Sequence, residues 1–246
     1  MALTGTDRGS GNNGTGGATF ALNPGSNLTA GALAVLCIAA DNSVTGGASN
    51  NISSVTDSLG NVWHARQLPI FDNGAASAGV QGGIFTTDQG AGALTTGTTI
   101  TVTFGTSTTA KSWTLMEVTA ASGSQAMFLT GANATGAAAS TAPTVTTGTI
   151  AVGDMVIAMV AMEAGTAQTY TNDADTTNGT WSASQYNEVG ATTVAGSAIG
   201  SQRKLQTTTN STQTFNPTLG TACDLICSWI SVREVVLKKL SLCGVG

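Results

Sequence analysis

Apolar residues recur at every second position along much of the chain. In TTITVTF, Ile100, Val102 and Phe104 fall on one face and threonines on the other, the pattern of a strand with one side buried. Residues 33–40 and 155–162 differ, because LAVLCIAA and MVIAMVAM are apolar at odd and even positions alike. A sandwich strand ordinarily keeps one polar side. These two segments therefore predict strands covered on both faces by a sister unit, a connector or a neighbouring subunit. Turn signals punctuate the pattern at NPG (23–25), SLGN (58–61), DQGAG (88–92) and TNG (177–179). Together they predict about six or seven strands per half, at the spacing of a β-sandwich.

The halves resemble each other. The four tryptophans form two matched pairs, Trp63 with Trp181 and Trp113 with Trp229. Around them NLTAGALAVLCIAAD (27–41) reads against TIAVGDMVIAMVAME (149–163), setting Asp41 on Glu163. GNVWHARQ reads against NGTWSASQ, TITVTFG against STQTFNP, and SWTLMEV against SWISVRE. The matched elements keep one order, which indicates a divergent tandem duplication of about 115 residues per unit. The expected fold is all-β: two tandem pseudo-repeated antiparallel β-sandwiches, jelly-roll or Ig-like, with almost no helix. The expected boundaries are an extended N-terminal arm (1–19), a first unit (20–122), a connector (123–142), a second unit (143–237) and a C-terminal tail (238–246).

Composition narrows the function. Only 9% of residues are charged while 41% are hydrophobic, and mean hydropathy is +0.17. So few charges cannot dress many helical faces, and so much apolar material argues against disorder. A net charge of −5 and a pI near 4.5 speak against nucleic acid as a partner. No apolar run approaches the ~20 residues of a spanning helix, so no membrane partner is expected. MALTGTDRGSGNNG lacks a basic stretch followed by an apolar one, so no signal peptide is expected. The four cysteines (37, 223, 227 and 243) show no CxxC. Cys223 and Cys227 lie on one predicted strand, ~13 Å apart, too far for a bridge, and buried thiols are expected.

Candidate chemistry is sparse. The lone His64 has Asp57 as its nearest acid in sequence but no nucleophile motif, so a structural or surface role is favoured over catalysis. In TNDADTTNGT, the residues Asp173, Asp175 and Asn178 are spaced somewhat like a calcium loop. Gly179 falls one residue late for that pattern, so a hairpin turn closed by Asn178–Gly179 is the better reading and calcium the weaker one. Carboxylate pairs for glycoside hydrolysis would have to come from Asp41/Glu163 or Asp57/Asp72, and nothing in the sequence places either at working distance. Trp113 and Trp229 read as core, and Trp63 and Trp181, beside turns, less firmly so. No cofactor is expected.

The string VTDSLGNVW, followed by TTITVTF, SWTLMEV and a second GDMVIAM strand, resembles β-sandwich proteins of bacteriophage virions and bacterial surfaces. The resemblance spans most of residues 20–236. It implies a structural virion protein assembled in the host cytoplasm, such as a capsid decoration or cement protein, and no enzyme. The implied partners are the major capsid protein or neighbouring virion subunits, with homo-oligomers, trimers among them. A tail or cell-surface adhesion module that binds carbohydrate is the alternative. The arm has too little apolar surface to order itself. On this reading Met1, Leu3 and Arg8 lie along a neighbouring subunit, and Lys238 and Lys239 meet an acidic one.

Overall fold

The computed structural model describes residues 3–42, 50–74, 78–164, 168–190 and 196–237. Its first half contributes β1 (Thr4–Asn13), β2 (Gly17–Leu22), β3 (Leu33–Asp41), β4 (Ile52–Asp57), β5 (His64–Gln67), β6 (Ile70–Asp72), β7 (Gly79–Thr87), β8 (Ile100–Thr108) and β9 (Lys111–Thr119). The second contributes β10 (Ser124–Asn133), β11 (Ala137–Ser140), β12 (Val145–Thr146), β13 (Met155–Glu163), β14 (Tyr170–Thr171) and β15 (Gln185–Val189). It ends with β16 (Ser197–Leu205), β17 (Thr214–Phe215), β18 (Thr218–Leu219) and β19 (Cys223–Val236). The protein is all-β, with no helix among the described residues and antiparallel pairing throughout.

Two six-stranded sheets form the centre. The first runs β1-β9-β3-β7-β5 with β6 alongside β7, and the second runs β10-β19-β13-β16-β15 with β11 alongside β19. Outside them lie a three-stranded sheet, β2-β8-β4, and two short ladders, β12-β17 and β14-β18. Three apolar cores separate these layers. One lies between the two central sheets, one under β2-β8-β4, and one under the short ladders.

This layering accounts for the two fully apolar strands. Leu33, Val35, Cys37 and Ala39 face the central core, while Ala34, Leu36, Ile38 and Ala40 face β2-β8-β4. On β13, Met155, Ile157, Met159 and Ala161 face the central core, and Val156, Ala158, Val160 and Met162 face the short ladders. The cover on the inner side is thus the opposite half of the same chain. Strand β8 follows its alternation, with Ile100, Val102 and Phe104 buried and Thr101 and Thr103 half-exposed.

The N-terminal arm departs from expectation. It is β1, hydrogen-bonded along β9 of its own chain from Thr4↔Thr119 to Asn13↔Lys111. Main-chain bonds hold it, together with ion pairs from Asp7 to Arg203 and from Arg8 to Glu117. Its glycines permit close approach: a Cβ on Gly11 would sit 2.9 Å from the Trp113 ring. Leu3 is buried in the central core and Arg8 is committed to Glu117, so neither is free to reach a neighbouring subunit. Met1, Lys238 and Lys239 lie outside the described residues.

The connector also proves to be structure. Residues 123–142 supply β10 and β11, both paired with β19. β10 stands to β19 as β1 stands to β9, and each has one residue out of register, Arg8 between Asp7 and Gly9 and Leu129 between Phe128 and Thr130. The division between the two central sheets therefore falls between residues 119 and 124.

Candidate functional site

One surface cleft with polar side chains, about 310 Å³ in volume, lies where β5 and β7 of the first half meet β10 of the second. Its lining includes His64, Arg66, Asp88, Gln125, Met127 and Phe128. The Arg66 guanidinium lies 4.4 Å from the centre of the Phe128 ring, and its Nε–H donates to Thr86 Oγ1 at 2.7 Å. Burial draws Arg66 below the ordinary arginine value, yet a guanidinium remains cationic in proteins. The cleft can therefore hold a polar or acidic group against an arginine fork. The hydroxyl in its lining, that of Thr86, which lies opposite His64 in the β5–β7 ladder, accepts from Arg66.

Beside the cleft the β10–β19 pair outruns its sheet. The pairing of β13 with β19 ends at Met155↔Val232, whereas β10 follows β19 to Ser124↔Val236. Beyond that point the pair is a two-stranded ribbon exposing Met127, Val235 and Val236, followed by Leu237, with Val236 70% exposed. A ribbon of two strands is marginal by itself, and its base is fixed by Arg233. That guanidinium donates to both oxygens of Asp154, Nε to Oδ1 at 2.8 Å and one terminal nitrogen to Oδ2 at 2.7 Å. Asp154 is buried, so Arg233→Ala should destabilise the protein by about 1–3 kcal/mol, the cost of an unpaired buried acceptor. Chemical denaturation measures the loss, and amide exchange should place it first at residues 124–127.

The other candidates resolve into architecture. His64 is exposed on the edge strand β5. Asp57 organises the VTDSLGNVW turn: its Oδ1 accepts the Leu59 and Asn61 N–H groups, and its Oδ2 accepts Trp63 Nε1–H at 2.8 Å. Asp72 accepts the Gly74 N–H and forms no pair with Asp57. Asp173 accepts the N–H groups of Asp175 and Asn216. Asp175 accepts from Thr177 N–H and pairs with the buried Lys204 ammonium at 2.7 Å. This bond holds the Asp175 carboxyl at about 2. The Asn178 oxygen accepts the Thr208 and Thr209 hydroxyls. These oxygens already have donors and a cation, so the calcium reading gives way to a turn, with Asn178 at φ 59° and Gly179 at φ 127°.

Trp113, Trp181 and Trp229 are buried and Trp63 is half-buried. Cys37, Cys223 and Cys227 are buried free thiols, and burial pushes Cys37 and Cys223 up to about 12. Cys243 lies outside the described residues. Arg66, Phe128 and the β10–β19 ribbon carry no signal in the sequence pattern, because their association depends on how the two halves pack.

Among the described residues no three His, Cys, Asp or Glu side chains gather to hold a metal ion, and no helix is long and apolar enough to cross a membrane. Taken together, the fold and the site define a layered all-β protein with an apolar ribbon beside a polar cleft. Compared with known proteins, the chain matches no family model, no curated protein and no solved structure.

Proposed function

We propose that this protein is a non-catalytic structural protein of a bacteriophage virion, a decoration or cement protein that docks on the capsid shell. The observation that carries the reading is the projecting β10–β19 ribbon with its exposed Met127, Val235 and Val236. Val235 and Val236 project from opposite faces of this ribbon, and a two-stranded ribbon with apolar residues on both sides is stabilised when another surface covers it. The cleft beside the ribbon offers Arg66 to an acidic group on the same partner. The resemblance of VTDSLGNVW and its following strands to virion proteins supports the shell as that partner. The matching order of the two central sheets supports descent from a duplicated β-sandwich unit.

The glycan-binding alternative draws less support. Its stacking platform would be an exposed indole, and three of the four tryptophans are buried while Trp63 is tied to Asp57.

Purified particles from the producing phage provide the test. The protein should be present in capsid-stoichiometric copies, and a folded Val235→Asp/Val236→Asp variant should lose at least ~90% of its particle occupancy, as an apolar hot spot would. Unchanged occupancy, or a protein missing from the particles, would refute the reading.

A further inference from the structure

At one end of the two central sheets, three carboxylates from three strands gather, and two of them, Glu163 and Asp224, are directly opposed on neighbouring strands and line an open pocket of about 220 Å³. Asp41 closes β3, Glu163 closes β13, and Asp224 stands second in β19. Their residues are 4%, 3% and 9% exposed. Glu163 Oε2 accepts the Gly79 N–H at 2.6 Å, a bond from the second sheet to the start of β7 in the first. Asp224 accepts from Asn73 Nδ2 at 2.8 Å and from the Ala139 N–H at 2.9 Å. The other oxygens of the first two groups, Glu163 Oε1 and Asp41 Oδ1, are buried and meet no donor.

Among the described residues no positive charge compensates for them. The six described lysines and arginines are engaged elsewhere, four in the ion pairs of Glu117, Asp7, Asp175 and Asp154 and one, Arg66, in the cleft. Lys111, on the strand next to β3, turns its ammonium to the Thr15 carbonyl. Of the neighbouring titratable groups, Cys223 is a neutral buried thiol and Asp72 faces the Gly74 N–H. Two carboxylates are acceptors only, so Glu163 and Asp224 can bond to each other only through a proton.

We propose that Glu163 and Asp224 share a proton and thereby form a pH-operated latch between the two halves of the molecule. With the proton bound, the start of β7, the end of β13 and the start of β19 are tied together. When it leaves, buried anions repel one another across the junction. Burial, followed by the charges of Asp224 and Asp41 and opposed by the Gly79 N–H, pushes the Glu163 carboxyl up to about 7. Burial pushes Asp41 up to about 6. Both values lie above those of the unfolded chain, so the folded state binds more protons across that window and loses stability as pH rises through it.

Carbon-detected NMR of the wild-type protein should show the Glu163 carboxyl titrating near pH 7 rather than near 4.5. Between about pH 5 and pH 8 the ratio of folded to unfolded protein should fall by roughly tenfold to a hundredfold. Glu163→Gln should abolish most of that fall, because the amide donates to Asp224 permanently while its oxygen keeps the Gly79 bond. A Glu163 midpoint at the ordinary glutamate value, or an undiminished pH slope in the variant, would overturn the latch. So would recovery of acid-level stability at pH 8 on adding millimolar calcium or magnesium, which would make a cation the occupant. If Glu163→Gln does not fold, the wild-type titration decides alone, with Asp224→Asn expected to lower the Glu163 midpoint. None of these readouts depends on virion binding.

Discussion

Neither half of the chain should fold when expressed alone. A fragment ending at residue 122 keeps β1 to β9 and the core under β2-β8-β4, but it exposes the inner face of its large sheet. That face carries Leu33, Val35, Cys37, Val80, Ile84, Met116 and Val118, all at most 4% exposed in the whole protein. Each such side chain is stabilised by about 1.5–3 kcal/mol on full burial, so losing the cover exceeds the total stability of an ordinary domain. The fragment beginning at residue 123 faces the same loss at Ile157, Met159, Ile199, Ile230 and Val232. Each fragment alone should be insoluble or molten, and co-expression should restore a soluble, sharply melting complex. A monomeric, cooperatively folded fragment 1–122 would contradict a shared core. The intact chain should accordingly unfold in one transition rather than two.

Gly179→Ala should destabilise the protein by about 3–5 kcal/mol, the range of a strained backbone combined with a steric clash. Gly179 has φ 127°, a conformation L residues rarely adopt, and a Cβ there would lie 2.0 Å from the Leu205 carbonyl oxygen. That oxygen belongs to the backbone of β16, next to the Trp181–Lys204 bridge, so relief requires the strand itself to move. Gly31→Ala is the control. Its φ is +76°, yet nothing lies within 4 Å of the added carbon, so conformation alone should cost about 1 kcal/mol. Equal losses for the two, read from urea midpoints, would show that the clash at residue 179 is absorbed.

Much of the strand content was legible from the residues. Period-two alternation located β8, unbroken apolar runs located β3 and β13, and Asn178–Gly179 gave its turn, because burial leaves its mark directly on side-chain type. The same signal did not reveal β1. TGTDRGSGNN has no apolar period to read, and the strand is held by main-chain hydrogen bonds that any sequence can make. β10 shows no alternation either, because its large apolar residues, Met127, Phe128 and Leu129, are consecutive and stand at its bulge.

The sequence by itself determined that β3 and β13 are covered on both faces, since they are apolar at odd and even positions alike. β7, β9, β16 and β19 are buried on both faces too, but polar residues such as Gln81, Lys111, Gln202 and Ser228 conceal it. What covers them was decided by the tertiary structure: periodicity records that a residue is buried and not against which partner. The cleft joins Arg66 to Phe128, and the carboxylate cluster joins Glu163 to Gly79 and Asp224. Asp41 and Glu163 occupied matched positions in the aligned halves, but a match in sequence carries no distance. It became a site only when the two sheets packed face to face and brought the ends of β3 and β13 to a single junction, out of reach of every described cation.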